Sequence, residues 1–219
     1  LVGTDSTGTL SSADGNTGVG VGVFGALTSG DNNVAVGLNA LDVNTTGSHN
    51  TAVGKDALLA NTTGSQNNAF GRHALDANTT ANANNAFGHG ALGLNTTGAN
   101  NTAMGDGSLA ANTTGTKNVA VGTNALDANT TANNNVAVGY DSLTTNTTGI
   151  RNTAVGESTL LSNQTGCCNV SVGAFSLEQN STGCFNVAVG VLALNRNTTA
   201  TKNTAVGHAA LDQNTTGAN

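Results

Sequence analysis

Asn50-Thr51-Ala52-Val53-Gly54-Lys55-Asp56-Ala57-Leu58-Leu59-Ala60-Asn61-Thr62-Thr63-Gly64-Ser65-Gln66 is one unit of 17 residues, and from Asn33 to Asn219 the chain is eleven consecutive copies of it without insertion or deletion. The phase is visible at one glycine: Gly37, Gly54, Gly71, Gly88, Gly105, Gly122, Gly139, Gly156, Gly173, Gly190 and Gly207. A short period kept this strictly means that every unit does the same geometric job against its neighbours. That is the signature of a solenoid.

Counted from Asn33, the unit reads N-x-A-V-G-x-x-A-L-x-x-N-T-T-G-x-x. Positions 1 and 12 are always Asn, position 5 always Gly, position 9 always Leu and position 14 always Thr. Position 3 is Ala except at Ser171, and position 4 is Val, Phe or Met. Large apolar residues at positions 4 and 9 make no i, i+3, i+4 stripe, so a helix is excluded. Glycine and paired threonines in each unit point the same way. A β reading fits, with a short strand at positions 1–4, a turn at the glycine, a second short strand at positions 8–11 and a corner at N-T-T-G. The expected fold is all-β, a parallel β-solenoid or β-roll of about twelve 17-residue coils spaced about 4.8 Å apart.

In this reading two apolar columns fill the interior. One is Val36, Val53, Phe70, Phe87 and Met104; the other is Leu41, Leu58, Leu75, Leu92, Leu109 and Leu126, each continuing to the end of the array. Neighbouring residues of a strand point to opposite faces. Ala35, Ala52, Ala69, Ala86 and Ala103 are then expected outside, as an uncharged face for contact with another chain. The recurrent asparagines are expected to bond local backbone and one another up the stack. The position-5 glycine marks a backbone conformation closed to other residues or a very tight approach.

Residues 1–32 read as a degenerate N-terminal segment, and 33–219 as the eleven-repeat solenoid. Asn16-Thr17-Gly18-Val19-Gly20 matches the strand, with Phe24 in the leucine place, and Leu1-Val2-Gly3 is in phase again. Open solenoid ends invite joining, so head-to-tail stacking of Asn219 on Leu1 of a second copy is expected.

Only 8% of residues are charged and 3% aromatic, and Lys and Arg together number six against a formal charge of −6. A basic nucleic-acid surface is absent from the sequence. No apolar run approaches the ~20 residues of a spanning helix, so membrane insertion is not expected. Beyond residue 32 every charged residue and every His falls at position 6, 7, 10, 11 or 17, which places those positions toward water or along loops.

No constellation of catalytic residues, cofactor ligands or metal ligands emerges, and the chain is not expected to be an enzyme. Asp42, Asp76, Asp127 and Asp212 share position 10 but never in adjacent coils. His73 and His89 can approach each other. Cys167 and Cys184 occupy position 16 of consecutive coils. Stacking brings their Cα atoms to about 4.8 Å, inside the disulfide range, so a bridge between coils is expected, with Cys168 left over. Asn44, Asn61, Asn78 and their equivalents head Asn-x-Thr triplets that satisfy the N-glycosylation pattern; a turn motif satisfies it equally.

Asn50-Thr51-Ala52-Val53-Gly54 and Asn203-Thr204-Ala205-Val206-Gly207 resemble repeats of bacteriophage tail-fibre-like proteins that carry a C-terminal self-cleaving chaperone domain. The N-x-A-V-G core is also similar to the shorter head repeats of trimeric autotransporter adhesins. The resemblance spans residues 16–219. It implies a parallel β-roll, left-handed and trimeric, on a cell or virion surface, and it supplies no catalytic residue. Three functional expectations follow. The first is an extracellular structural fibre or adhesive rod whose partner is itself, as a homo-oligomer, fibre or trimer. The second is a shaft whose loops at positions 6, 7, 10 and 11 touch a cell-surface receptor or glycan. The third is ice binding through the ranked threonines.

Overall fold

The computed structural model describes residues 12–217. The chain forms two compact units, Leu1–Thr114 and Gly115–Asn219. The in-phase Leu1-Val2-Gly3 stretch and the Asn219–Leu1 junction lie outside the described residues.

The first unit holds β1 (Thr17–Val19), β2 (Val34–Val36), β3 (Thr51–Val53), β4 (Asn68–Phe70), β5 (Asn85–Phe87) and β6 (Thr102–Met104). The second holds β7 (Val119–Val121), β8 (Val136–Val138), β9 (Thr153–Val155), β10 (Val170–Val172), β11 (Val187–Val189) and β12 (Thr204–Val206). Within each unit successive strands pair parallel at an offset of one repeat, as Ala35 with Ala52 and Val136 with Thr153. The fold is all-β, and each unit is a parallel β-solenoid. β1 pairs with β2 in the same register, Gly18 opposite Ala35, and Phe24 is buried where other coils place leucine.

Each coil has one strand of three residues, at positions 2–4, and the expected second strand is replaced by turns over positions 6–11. The reason lies in the leucine backbone. Leu41, Leu75 and Leu126 have φ of 54°, 52° and 55°, the left-handed region, which no extended strand can contain. For a non-glycine residue this costs roughly 1–2 kcal/mol. Full burial of the leucine side chain gains roughly 1.5–3 kcal/mol, so burial outweighs the strain. Leu41 through Leu194 are fully buried. The turn also keeps an inter-coil ladder, with the Leu41 amide donating to the Ala57 carbonyl at 3.1 Å and the Thr45 amide to the Thr62 carbonyl at 2.9 Å.

The strand faces are opposite to the expectation. Ala35, Ala52, Ala69, Ala86 and Ala103 are fully buried. Val36 and Val53 are half-buried, and Phe70, Phe87 and Met104 are exposed, on the outer side. A strand of three residues aims only its middle side chain inward. The interior it meets already holds the leucine of position 9 and the small residue of position 8. Nothing larger than a methyl or hydroxymethyl group fits there. The position stays small, alanine in ten copies and serine at Ser171, because the coil is narrow.

Position 5 behaves as expected. φ at these glycines runs from 124° at Gly173 to 142° at Gly88. A Cβ on Gly54 would stand 2.6 Å from the Gly71 carbonyl carbon of the next coil, closer than any real contact.

Candidate functional site

Two asparagine files close every coil. At position 12, Asn61 Nδ2 donates to Asn44 Oδ1 at 2.8 Å and to the Gly64 carbonyl at 3.0 Å; Asn78 repeats the pattern on Asn61 and Ala81. At position 1, the Asn50 amide N–H donates to Asn33 Oδ1 at 2.9 Å, and Asn50 Nδ2 donates to the same Gly64 carbonyl at 2.8 Å. The carbonyl of position 15 therefore accepts both side-chain amides of its own coil, as at Gly47 and Gly64; in the last described coil the Gly217 carbonyl accepts Asn214 alone, and Asn203 Nδ2 is buried without a partner. This acceptor explains why the two asparagines recur together. The spacing alone did not reveal it, because the acceptor is backbone and position 15 varies between Gly and Ala.

The same geometry favours the turn reading over glycosylation at Asn44, Asn61 and Asn78. All three are fully buried, and their amide nitrogens are committed to the ladder. A glycan on that nitrogen has no room in the folded coil.

The outer strand face carries positions 2 and 4 of each coil. It presents Val34 and Val36, Thr51 and Val53, Asn68 and Phe70, and their successors, with no charged residue in any copy. Exposure on this face is 37% at Phe70, 45% at Met104 and 70% at Val206. The Phe70 and Phe87 rings stack with centroids 4.8 Å apart and planes 5° from parallel. The uncharged outward column therefore exists, built from position 4 and not from the alanines.

On the turn side of the first unit, positions 6, 7 and 10 bring ionisable groups together, among them the His73–His89 approach that the sequence reading expected. His73 Nδ1 lies 3.0 Å from Asp76 Oδ2 and 3.8 Å from Asp56 Oδ2, and Lys55 Nζ lies 3.5 Å from Asp56 Oδ2. Asn39 Nδ2 donates to Asp56 Oδ1 at 3.0 Å. His89 Nδ1 is 3.1 Å from Asp106 Oδ1, and the two imidazoles meet edge to face at 6.4 Å. Asp56 is buried, at 6% exposure, in the turn that follows β3. Its neighbours in the stack supply the polar partners that make burial tolerable. The signal was present as like positions in consecutive units, Asn39, Asp56 and His73. Among the described residues, no group of three His, Cys, Asp or Glu side chains is arranged to hold a metal ion. In the second unit, burial and then the charge of Asp141 push the Asp127 carboxyl up from its ordinary value.

The interior of the second unit holds one hydroxyl cluster. Thr159 Oγ1 donates to Ser171 Oγ at 2.7 Å and lies 2.9 Å from Ser176 Oγ, all three fully buried. Ser171 Oγ also bonds Ser176 Oγ and the Ser176 carbonyl.

Cys167, Cys168 and Cys184 are free thiols, each partly exposed. The expected bridge is not formed, but the pair is stacked as the register requires. Cys167 Sγ lies 2.8 Å from Cys184 Sγ, and the Cys167 amide N–H donates to Cys184 Sγ at 3.0 Å. The hydrogen bond to Cys184, followed by burial and the neighbouring sulfurs, pushes the Cys167 thiol up to about 12. Compared with known proteins, the chain matches no family model, no curated protein and no solved structure.

Proposed function

We propose that the chain is a non-enzymatic structural repeat protein that builds an extracellular fibre or adhesive rod by associating with further copies of itself. The outer strand face carries this reading. It is free of charge in every coil, although the chain has eighteen charged residues, and it exposes Val, Phe and Met at a fixed period. An occupant that matches a ladder of about 4.8 Å over many rungs is best supplied by another stack of the same pitch. The resemblance to surface-exposed trimeric repeats points to the same partner and to a cell or virion surface.

Sedimentation at graded concentrations and electron microscopy of the purified chain test the reading. Association that grows with concentration is expected, weakened by Phe70→Lys with Val138→Lys while circular dichroism stays unchanged. A monodisperse monomer at every concentration overturns it. One observation favours a second reading as an ice-binding surface. The position-14 threonines, Thr46 to Thr216, are exposed in every coil, and a thermal-hysteresis assay decides that case.

A further inference from the structure

The cysteine rung carries more than a packing role. Position 16 is a slot in which a side chain of one coil accepts the position-16 amide of the coil before it. Ser65 Oγ takes the Ser48 N–H at 3.1 Å, Asn82 Oδ1 takes the Ser65 N–H at 2.7 Å, and Asn133 Oδ1 takes the Thr116 N–H at 2.6 Å. Cys184 Sγ occupies the same slot and takes the Cys167 N–H. It lies 2.8 Å from Cys167 Sγ, and its own thiol points at the Thr182 carbonyl, 3.6 Å away. The pair is therefore asymmetric: Cys184 Sγ is the sulfur that takes the amide hydrogen, and the Cys167 thiol is the one pushed up by its neighbour.

We infer that Cys184 and Cys167 form a thiol-exchange site for small disulfides such as glutathione disulfide, with Cys184 the attacking sulfur and Cys167 the resolving one. The Cys184 thiolate attacks one sulfur of the small disulfide. A Cys184–glutathione bond forms, the glutathione S–S bond breaks, and the departing thiolate takes a proton from water. Once capped, Cys184 no longer bears a charge that opposes ionisation of its neighbour. Cys167 gives its proton to water and attacks Cys184 Sγ. The Cys167–Cys184 bond forms, and the second glutathione leaves and is protonated. Two protein thiols are oxidised and one small disulfide is reduced to two thiols.

The register supplies the geometry. Stacked coils hold the two Cα atoms about 4.8 Å apart, within the window a bridge requires. The Cys168 thiol also reaches Cys167, but it stands in a different column. Its column neighbours are Arg151 and Phe185, and its amide is turned to the Ile150 carbonyl. Partial exposure of all three thiols leaves the pair open to a small reagent. The product is a covalent staple between two consecutive coils, closed in an oxidising medium and opened by reductant.

The test uses the full chain, excess glutathione disulfide, alkylation and intact-mass measurement, followed by peptide mapping. Two of the three thiols should be lost, with Cys167 joined to Cys184 and Cys168 still alkylatable. Cys167→Ser should accumulate one glutathione adduct, on Cys184. Cys184→Ser should slow adduct formation about tenfold, because the site loses its attacking sulfur. Serine is native to this slot at Ser48 and Ser65, so both variants keep the ladder. Repeating the reaction in denaturant should lose the selective pairing. Three thiols surviving saturating reagent, a bridge that includes Cys168, or a first adduct on Cys167 would each overturn the assignment.

Discussion

The two units are built on one repeat and differ in what they add to it. In the first, Leu1–Thr114, every strand from β2 to β6 turns an alanine inward; the side-chain groups added are outside, as the Phe70–Phe87 stack and the His73–Asp76 group, and the inner Ser108 bonds only a backbone carbonyl. In the second, Gly115–Asn219, an inward alanine is replaced once, by Ser171, and that change comes with Thr159 and Ser176 on the facing wall. The difference shows how unequal the two sides of a coil are. Outer residues vary singly, since water or a neighbour on the surface satisfies them. An inner hydroxyl is kept only with a partner, a backbone carbonyl for Ser108 and Ser142 or a set of hydroxyls for Thr159, Ser171 and Ser176, because an unpaired buried one would cost about 1–3 kcal/mol.

Substitutions that treat the two units alike break or sharpen this comparison. Leu58→Ala and Leu126→Ala should each destabilise by about 2–5 kcal/mol, equally if the leucine file is equivalent in both units; urea unfolding reads the difference. Asn61→Ala removes the donor to Asn44 Oδ1 and strands that buried oxygen, for a loss of about 1–3 kcal/mol. Ala52→Val should cost about 1–3 kcal/mol through overpacking. Its neighbour change Val53→Thr, on the outer face, should stay within about 0.5 kcal/mol. Equal effects of that pair would mean that the strand is turned the other way. Thr159→Val deletes one hydroxyl of the inner set and should cost about 1 kcal/mol, seen only in the second unit.

The smallest effect is a pH slope confined to the second unit. Between the ordinary thiol value of about 8.5 and the raised value of about 12 at Cys167, the unfolded chain has lost a proton that the folded chain retains. The folded state binds more protons there, so stability is intact below about 8.5 and falls as pH rises toward about 12. Thermal unfolding across that range should show the decline, and Cys167→Ser should flatten it.

Much of the architecture could be read in the sequence. The period gave the parallel stack, the strand at Val34–Val36 and the buried leucine file, because each depends on position alone. The direction of the strand could not be read from alternation. Alternation says that Ala35 and Val36 point to opposite sides and not which side is inside; the answer depends on the interior width left by Leu41 and Ala40. The left-handed backbone of Leu41 was equally hidden, since leucine rarely adopts it and only burial makes it worthwhile. The grouping of Asp56, His73 and Asp76 was written in the phase of consecutive units, but burial of Asp56 follows from the turn geometry. The thiol pair was legible from register, and the asymmetry between its sulfurs from nothing short of the amide that Cys184 accepts.

The shared carbonyl of position 15 has a genetic consequence. Because both asparagines of a coil fasten to an oxygen of that same coil, each turn arrives with its own clasp. Duplicating or excising a whole unit leaves every remaining clasp intact, while gain or loss of a single residue uncouples one. The molecule can thus change its length only in steps of a complete turn, and its size is inherited as an integer.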